Sequence, residues 1–170
     1  MLKTQDLVLS KGEFEDWKSL YNNVWSQDET AKFMLWTPIH TEEEAKVRMY
    51  KSMELMKHTL SWFIYEKKST QVIGFAGMKK VQDNVYEDTG IVLGPQFVKK
   101  GYGTQVLKLL CDEAFYTYGA SKFVCSCRRG NIPSKQLQLS LGFYYTYSVN
   151  KVDSRNNESY ILDFYELLRD

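Results

Sequence analysis

With 170 residues the chain fits one domain, and at 44% hydrophobic and 15% aromatic residues it carries enough apolar surface for a sizeable core, which excludes intrinsic disorder. Its 22 basic and 21 acidic residues give a net charge of +1, without the basic excess of a general nucleic-acid binder. No apolar run approaches the roughly 20 residues that span a bilayer, and the N-terminal MLKTQDLVLSKGEFEDW lacks the order of a secretory signal, so a soluble, cytoplasmic protein without a membrane partner is expected.

In chain order, Leu7 to Ser10 reads as a first strand. Phe14, Trp17, Leu20, Tyr21 and Trp25 recur at helical spacing. Thr41 to Lys57 is a second helix, opened by the capping-box pair Thr41 and Glu44. Ser61 to Lys67, Gln71 to Lys80 and Thr89 to Leu93 read as three strands of an antiparallel meander, with Gln82 to Asp88 as a polar turn. Val106 to Tyr118 is a helix stopped by Gly119. Lys122 to Cys127 is a strand, Ser134 to Leu141 a short helix, and Phe143 to Val149 and Tyr160 to Leu168 a closing pair of strands. The order β-α-α-β-β-β-α-β-α-β-β predicts one α/β domain over residues 1–170, with a strand–helix–strand crossover.

The three cysteines, Cys111, Cys125 and Cys127, form no disulfide framework, and with only His40 and His58 elsewhere no metal site is expected. Cys125 and Cys127 would face one side of a strand.

The stretch KKGYGTQ, residues 99–105, places two glycines directly before a strong helix. The first N–H groups of a helix lack intrahelical partners and, with the helix dipole, favour an anion. Glycine lets the backbone approach that anion closely. Val98, Lys99, Lys100, Gly101, Tyr102, Gly103 and Thr104 therefore offer N–H donors, a hydroxyl and two charges suited to a pyrophosphate. Neither a P-loop nor a dinucleotide fingerprint is present, and a plain tight connection is the competing reading.

The segment GIVLGPQFVKKGYGTQVLKLLCDEAF resembles motif A of the GNAT acetyltransferase superfamily, and NIPSKQLQLSLGF, starting at Asn131, resembles that family's second signature, N-x-x-[A/S] followed by a short helix and Gly-Phe. The element order is similar too. The long N-terminal half, Trp36-Thr37-Pro38 and N-x-x-S look most like the branch of ribosomal-protein N-terminal acetyltransferases. The resemblance implies the GNAT fold, a mixed, mostly antiparallel sheet of about seven strands with about four helices, and acetyl-CoA as co-substrate. One position departs from the family: Val98 stands where Gln or Arg is usual, although backbone N–H groups supply much of the anion contact.

By the same resemblance, Val92 and Leu93 pair with the pantetheine arm, residues 98–104 hold the pyrophosphate, and Asn131 hydrogen-bonds the pantetheine. Many family members protonate the departing thiolate with a tyrosine at the position of Gln138; in the N-x-x-S branch the serine has that role, which makes Ser134 the candidate here, against helix capping alone. Asp88, with Glu87 beside it, is the implied base, against a solvated acidic turn. Arg128 and Arg129 are candidates for the CoA 3′-phosphate, and the link at Trp36 for the acceptor wall.

The reading is N-acetyl transfer from acetyl-CoA to a primary amine, either a protein N-terminus or a small molecule. For a cationic amine, Glu42, Glu43, Glu44, Glu87 and Asp88 are candidate acidic walls. The alternative is a non-catalytic module that senses acetyl-CoA. Tyr144, Tyr145 and Tyr147 are expected to divide between core and surface. The apolar final strand is a candidate for pairing across a homodimer or for cover within the monomer.

Overall fold

The computed structural model describes residues 1–169. In chain order the strands are β1 (Leu2–Lys3), β2 (Leu7–Ser10), β3 (Leu60–Glu66), β4 (Val72–Gln82), β5 (Val85–Leu93), β6 (Lys122–Arg128), β7 (Tyr144–Val152) and β8 (Ser159–Leu168). The helices are α1 (Trp17–Leu20, continued by a π turn over Tyr21–Trp25), α2 (Asp28–Ala31), α3 (Glu42–Lys57), α4 (Tyr102–Asp112, continued by a π turn over Glu113–Thr117) and α5 (Ile132–Ser140). The sheet has eight strands in the order β1-β2-β3-β4-β5-β6-β8-β7. The β5–β6 pair is parallel and the others are antiparallel.

The expected capping box holds α3: the Glu44 N–H donates to Thr41 Oγ1 at 3.2 Å, and the Glu44 carboxylate accepts from the Thr41 N–H at 3.1 Å. One sheet face carries α4 over Ile73, Ala76, Met78, Tyr86, Phe123 and Cys125. The other carries α1 and α3 over Val72, Val92 and Phe63. On its buried stripe α4 places Val106, Leu107 and Leu110, each worth roughly 1.5–3 kcal/mol relative to exposure.

Three expectations are corrected. Gln82 to Asp88 is not a turn. The chain reverses over Asp83–Asn84, Asn84 takes the left-handed φ of 59°, and β5 already runs from Val85. Buried Tyr86 supplies the core contact that the polar sequence around it conceals. Second, α4 starts at Tyr102 and α5 at Ile132, several residues earlier than apolar spacing indicates, because Gly101 and Asn131 are their N-caps. Third, Tyr144, Tyr145 and Tyr147, on the edge strand β7, do not divide between core and surface: all are about half exposed. The expected sheet of about seven strands with about four helices is met, with two short elements, β1 and α2, added among the described residues. Of the two alternatives for the apolar final strand, the sheet order gives cover within the monomer, since β8 is flanked by β6 and β7.

Candidate active site

The parallel β5–β6 ladder ends at Glu87 opposite Val124. Beyond it β5 stays paired to β4 through Gly90, Ile91, Val92 and Leu93 but has lost its partner on the β6 side. Alternate backbone groups of that free edge await a partner. At the start of the fork β5 carries a bulge: Gly77 pairs with Gly90 while Met78 pairs with Asp88, so Thr89 is the extra residue. Gly90 takes a φ of 114°, which glycine alone adopts readily. The bulge re-aims the strand where the fork opens.

The glycine turn lies at the same end of the strands. Lys99 and Gly101 both take left-handed φ, 60° and 77°, and curl this short run of backbone around the start of α4. Gly101 caps α4 with no side-chain hydrogen bond, which leaves the first helical N–H groups open. The neighbouring side chains are tied back. Tyr102 Oη donates to Glu66 Oε1 at 2.7 Å, and this pushes the phenol up to about 12. Lys100 lies over the rings of Phe97 and Tyr102, 4.0 Å from the same carboxylate. Gln105 is held by Asp6 and Thr4. Lys99 makes no ion pair among the described residues, so it is the lysine available to an anion. Val98 is about half exposed, with extended backbone.

α5 closes the same face. Asn131 Oδ1 accepts from the Ser134 N–H at 3.3 Å, so the cap is Asn131 and Ser134 is relieved of that role. Ser134 Oγ accepts from Gln138 Nε2 at 3.2 Å. Both side chains also reach the Cys127 thiol, which burial pushes up against their opposing hydrogen bonds. Gln138 Oε1 and Asp88 Oδ1 are buried without a hydrogen-bond partner. Orphaned buried polar atoms are rare in folded proteins and call for a partner, an ordered water or a ligand group. Uncapped helix N–H groups, a free strand edge and orphaned acceptors together fit the phosphates and amides of a CoA arm.

The two implied carboxylates lie on opposite faces. Asp88 points to the α4 face, beside Cys125. Burial pushes its carboxyl up to about 7; the Glu87 charge acts in the same direction, and hydrogen bonds from Cys125, Ser126 and Gly90 act against it. The native state therefore keeps a proton that the unfolded chain releases near pH ~4. Stability from this group is greatest below pH ~4, falls as pH rises through about 7, and is level above. Asp88→Asn is expected to abolish that slope and to raise the thermal midpoint at alkaline pH by several degrees (roughly 1–3 kcal/mol), with little change in acid. Thermal melts across pH check this; an unaltered slope would mean that Asp88 is ionised throughout.

Glu87 lies on the α1–α3 face, with Lys79 at 3.3 Å. Above the fork on that face sits the link before α3. A Cβ on Gly90 would stand 3.1 Å from Met34 Cε, and Trp36 packs against Phe75 with ring centroids 6.5 Å apart. Arg155, from the β7–β8 loop, clamps the link by donating to the carbonyls of Ala31 and Trp36 at 3.1 and 3.0 Å. Buried Asp153 accepts from Arg155 and Arg128, both at 2.7 Å, and is held well below the usual carboxylate range. Arg155 thus anchors the loop that carries Trp36; nothing in the local sequence signals that pairing.

Arg128 and Arg129 are not placed for a 3′-phosphate at the glycine turn. Arg128 lies on the face opposite α4, and the Arg129 guanidinium bonds Asp163 and Ser148. Glu42, Glu43 and Glu44 occupy the exposed first turn of α3, and Glu44 caps its own helix, so they build no acidic pocket with Glu87. Among the described residues no three His, Cys, Asp or Glu side chains gather as a metal site, and no helix is long and apolar enough to cross a membrane.

Residues 6–144 match the family model of the acetyltransferase (GNAT) domain. The chain belongs to the GNAT acetyltransferase family. Among GNAT relatives, the N-acetyltransferase p20 of Bacillus licheniformis is 29% identical over 145 residues, covering 84% of this chain and 81% of p20. The GNAT acetyltransferase structure from Bacillus anthracis superposes with a TM-score of 0.83 at 21% identity, covering 98% of this chain and 97% of that one. The microcin C7 self-immunity acetyltransferase MccE, solved with acetyl-CoA and AMP, gives 0.81 at 20% identity, covering 98% and 94%. The protein is a GNAT-type, acetyl-CoA-dependent acetyltransferase.

Proposed function

We propose that this GNAT enzyme transfers the acetyl group directly to a primary amine in a ternary complex. The observation that carries this reading is the fork: β5 and β6 part between open α4 N–H groups on one face and a clamped loop on the other. Residues 98–104 hold the pyrophosphate of acetyl-CoA, and the free edge at Val92 and Leu93 pairs with its pantetheine arm, with Asn131 beside it. A β5 N–H at the bulge polarises the thioester carbonyl, and an oriented donor at a developing oxyanion lowers the barrier.

The amine enters from the α1–α3 face. Its nitrogen attacks the carbonyl carbon and forms the C–N bond; collapse of the tetrahedral adduct breaks the C–S bond. The amine proton leaves through Glu87, the carboxylate on the acceptor face, and Asp88 shapes the fork from the other side. The thiolate takes the Ser134 proton while Ser134 regains one from solvent water, which balances the proton that the amine loses through Glu87. The Gln138 amide already donates to Ser134 Oγ, and the hydroxyl proton turns from the Cys127 thiol toward the departing sulfur. The N-x-x-S pattern and the Trp36 wall support kinship with the ribosomal-protein N-terminal branch, and both a protein N-terminus and a small amine suit an open acceptor face.

Calorimetry with acetyl-CoA and CoA, followed by free-thiol release over a panel of amines and peptides, tests the proposal. Saturable binding and release on one amine class is the expected result. Binding without release on any amine would favour the non-catalytic acetyl-CoA sensor. Absence of binding would remove both readings.

A further inference from the structure

A second pocket, of about 420 Å³, opens on the acceptor face and is lined by Lys32, Phe33, Arg128, Gly130, Ser159 and Tyr160. Its charges do not cancel. Lys32 has no carboxylate within ion-pair distance among the described residues, and its ammonium sits 5.2 Å from the Phe33 ring centre. Arg128 stacks 3.9 Å from the centre of Tyr160. Its carboxylate partner, Asp153, is shared with Arg155, so two guanidinium groups face one carboxylate. Arg129 is engaged by Asp163; Glu158, next to Ser159, keeps its charge, and its carboxylate accepts from the Asn156 amide outside the pocket lining. Glu87, lower on the same face, is paired with Lys79.

The pocket also sits close to the fork. Lys32 is two residues from Met34, which packs on Gly90 at the bulge. Arg128 is four strand positions beyond Val124, the last residue paired at the fork, a span of about 13 Å. We propose that the acceptor amine carries an anionic group, a phosphate or a carboxylate, which this pocket seats between Lys32 and Arg128. Two cations on one open pocket attract an anion more strongly than either alone, and the same charges repel a purely cationic polyamine. The inference rests on the acetyl-transfer reading for the amine, but not for the anion.

The test has two arms. In the first, protein saturated with CoA, so that the glycine turn is filled, is titrated with inorganic phosphate. Saturable binding is expected, weakened about tenfold or more by Lys32→Glu, a surface change, while CoA affinity is unaltered. In the second, thiol release is compared for 2-aminoethyl phosphate against ethylenediamine, and for peptides with an acidic against a neutral second residue. The anionic member of a pair is expected to be preferred about tenfold or more, and Lys32→Glu to erase that preference through KM rather than kcat. The pair that shows the preference separates a small-molecule acceptor from a protein N-terminus. Phosphate binding that Lys32→Glu does not change, or turnover that prefers the cationic amine, overturns the inference and leaves acetyl transfer standing. Phosphate binding that the variant abolishes, with no thiol release on any amine, upholds the anion site and overturns the transfer reading.

Discussion

Replacing Gly103 with aspartate is expected to weaken acetyl-CoA binding about 100-fold or more while the fold persists, since two like charges about 4 Å apart repel by several kcal/mol at the effective dielectric of a protein surface. The position sits in the first turn of α4, among N–H groups that no side chain caps. A Cβ there would lie 3.3 Å from Leu137 Cδ2, the flexible end of a side chain that can give way, so the cost to folding is small. Gly103→Ala separates charge from bulk and is expected to retain most of the affinity. Gly101→Ala makes the opposite contrast: nothing lies within 4 Å of its Cβ, but φ is 77°, so it loses about 1–2 kcal/mol of stability to left-handed strain. Calorimetry and thermal melts on the three variants read both quantities. Unchanged affinity in Gly103→Asp would reduce KKGYGTQ to a tight connection.

Removing the Ser134 hydroxyl is expected to lower kcat about 100-fold, the ordinary scale of general-acid catalysis, with acetyl-CoA affinity nearly unchanged. A capping role would act on stability instead, and the helix is capped by Asn131. Ser134→Ala does strand the Gln138 amide that now donates to Oγ, a loss of about 1 kcal/mol that melting registers separately from turnover. Ser134→Thr restores a hydroxyl and should recover much of the rate. Equal kcat for Ser134→Ala and the native enzyme would assign the thiolate's proton to water.

Local chemistry explains which parts of this protein can be read from its residues. The Thr41–Glu44 capping box, the apolar stripe of α4 and the glycine turn each depend on a few neighbouring residues, and each appears in the structure where the sequence places it. The paired signatures around Gly101–Gly103 and Asn131–Ser134 are local too, each falling at a helix N-terminus, where open N–H groups suit an anion. Tyr86 marks the limit of such reading: one buried aromatic in a polar run converts an apparent turn into a strand, and its burial is set by helix residues elsewhere in the chain.

What tertiary structure alone decided lies on the acceptor side. Side chains alternate along a strand, and a single inserted residue reverses the faces beyond it, so the bulge at Thr89 settles how Glu87 and Asp88 relate to Gly90 and Val92. The insertion of β8 between β6 and β7 moves the apolar last strand inside and leaves a tyrosine edge. Arg155 meets Trp36 across 119 positions, and Lys32 shares a pocket with Arg128, through contacts that no local periodicity encodes. The order of the main elements, the Thr41–Glu44 cap and the glycine turn are written in the residues themselves, because those free energies are local. The face presented to the amine and the charge that surrounds it came from the pairing of distant segments, whose register is fixed only when the sheet closes.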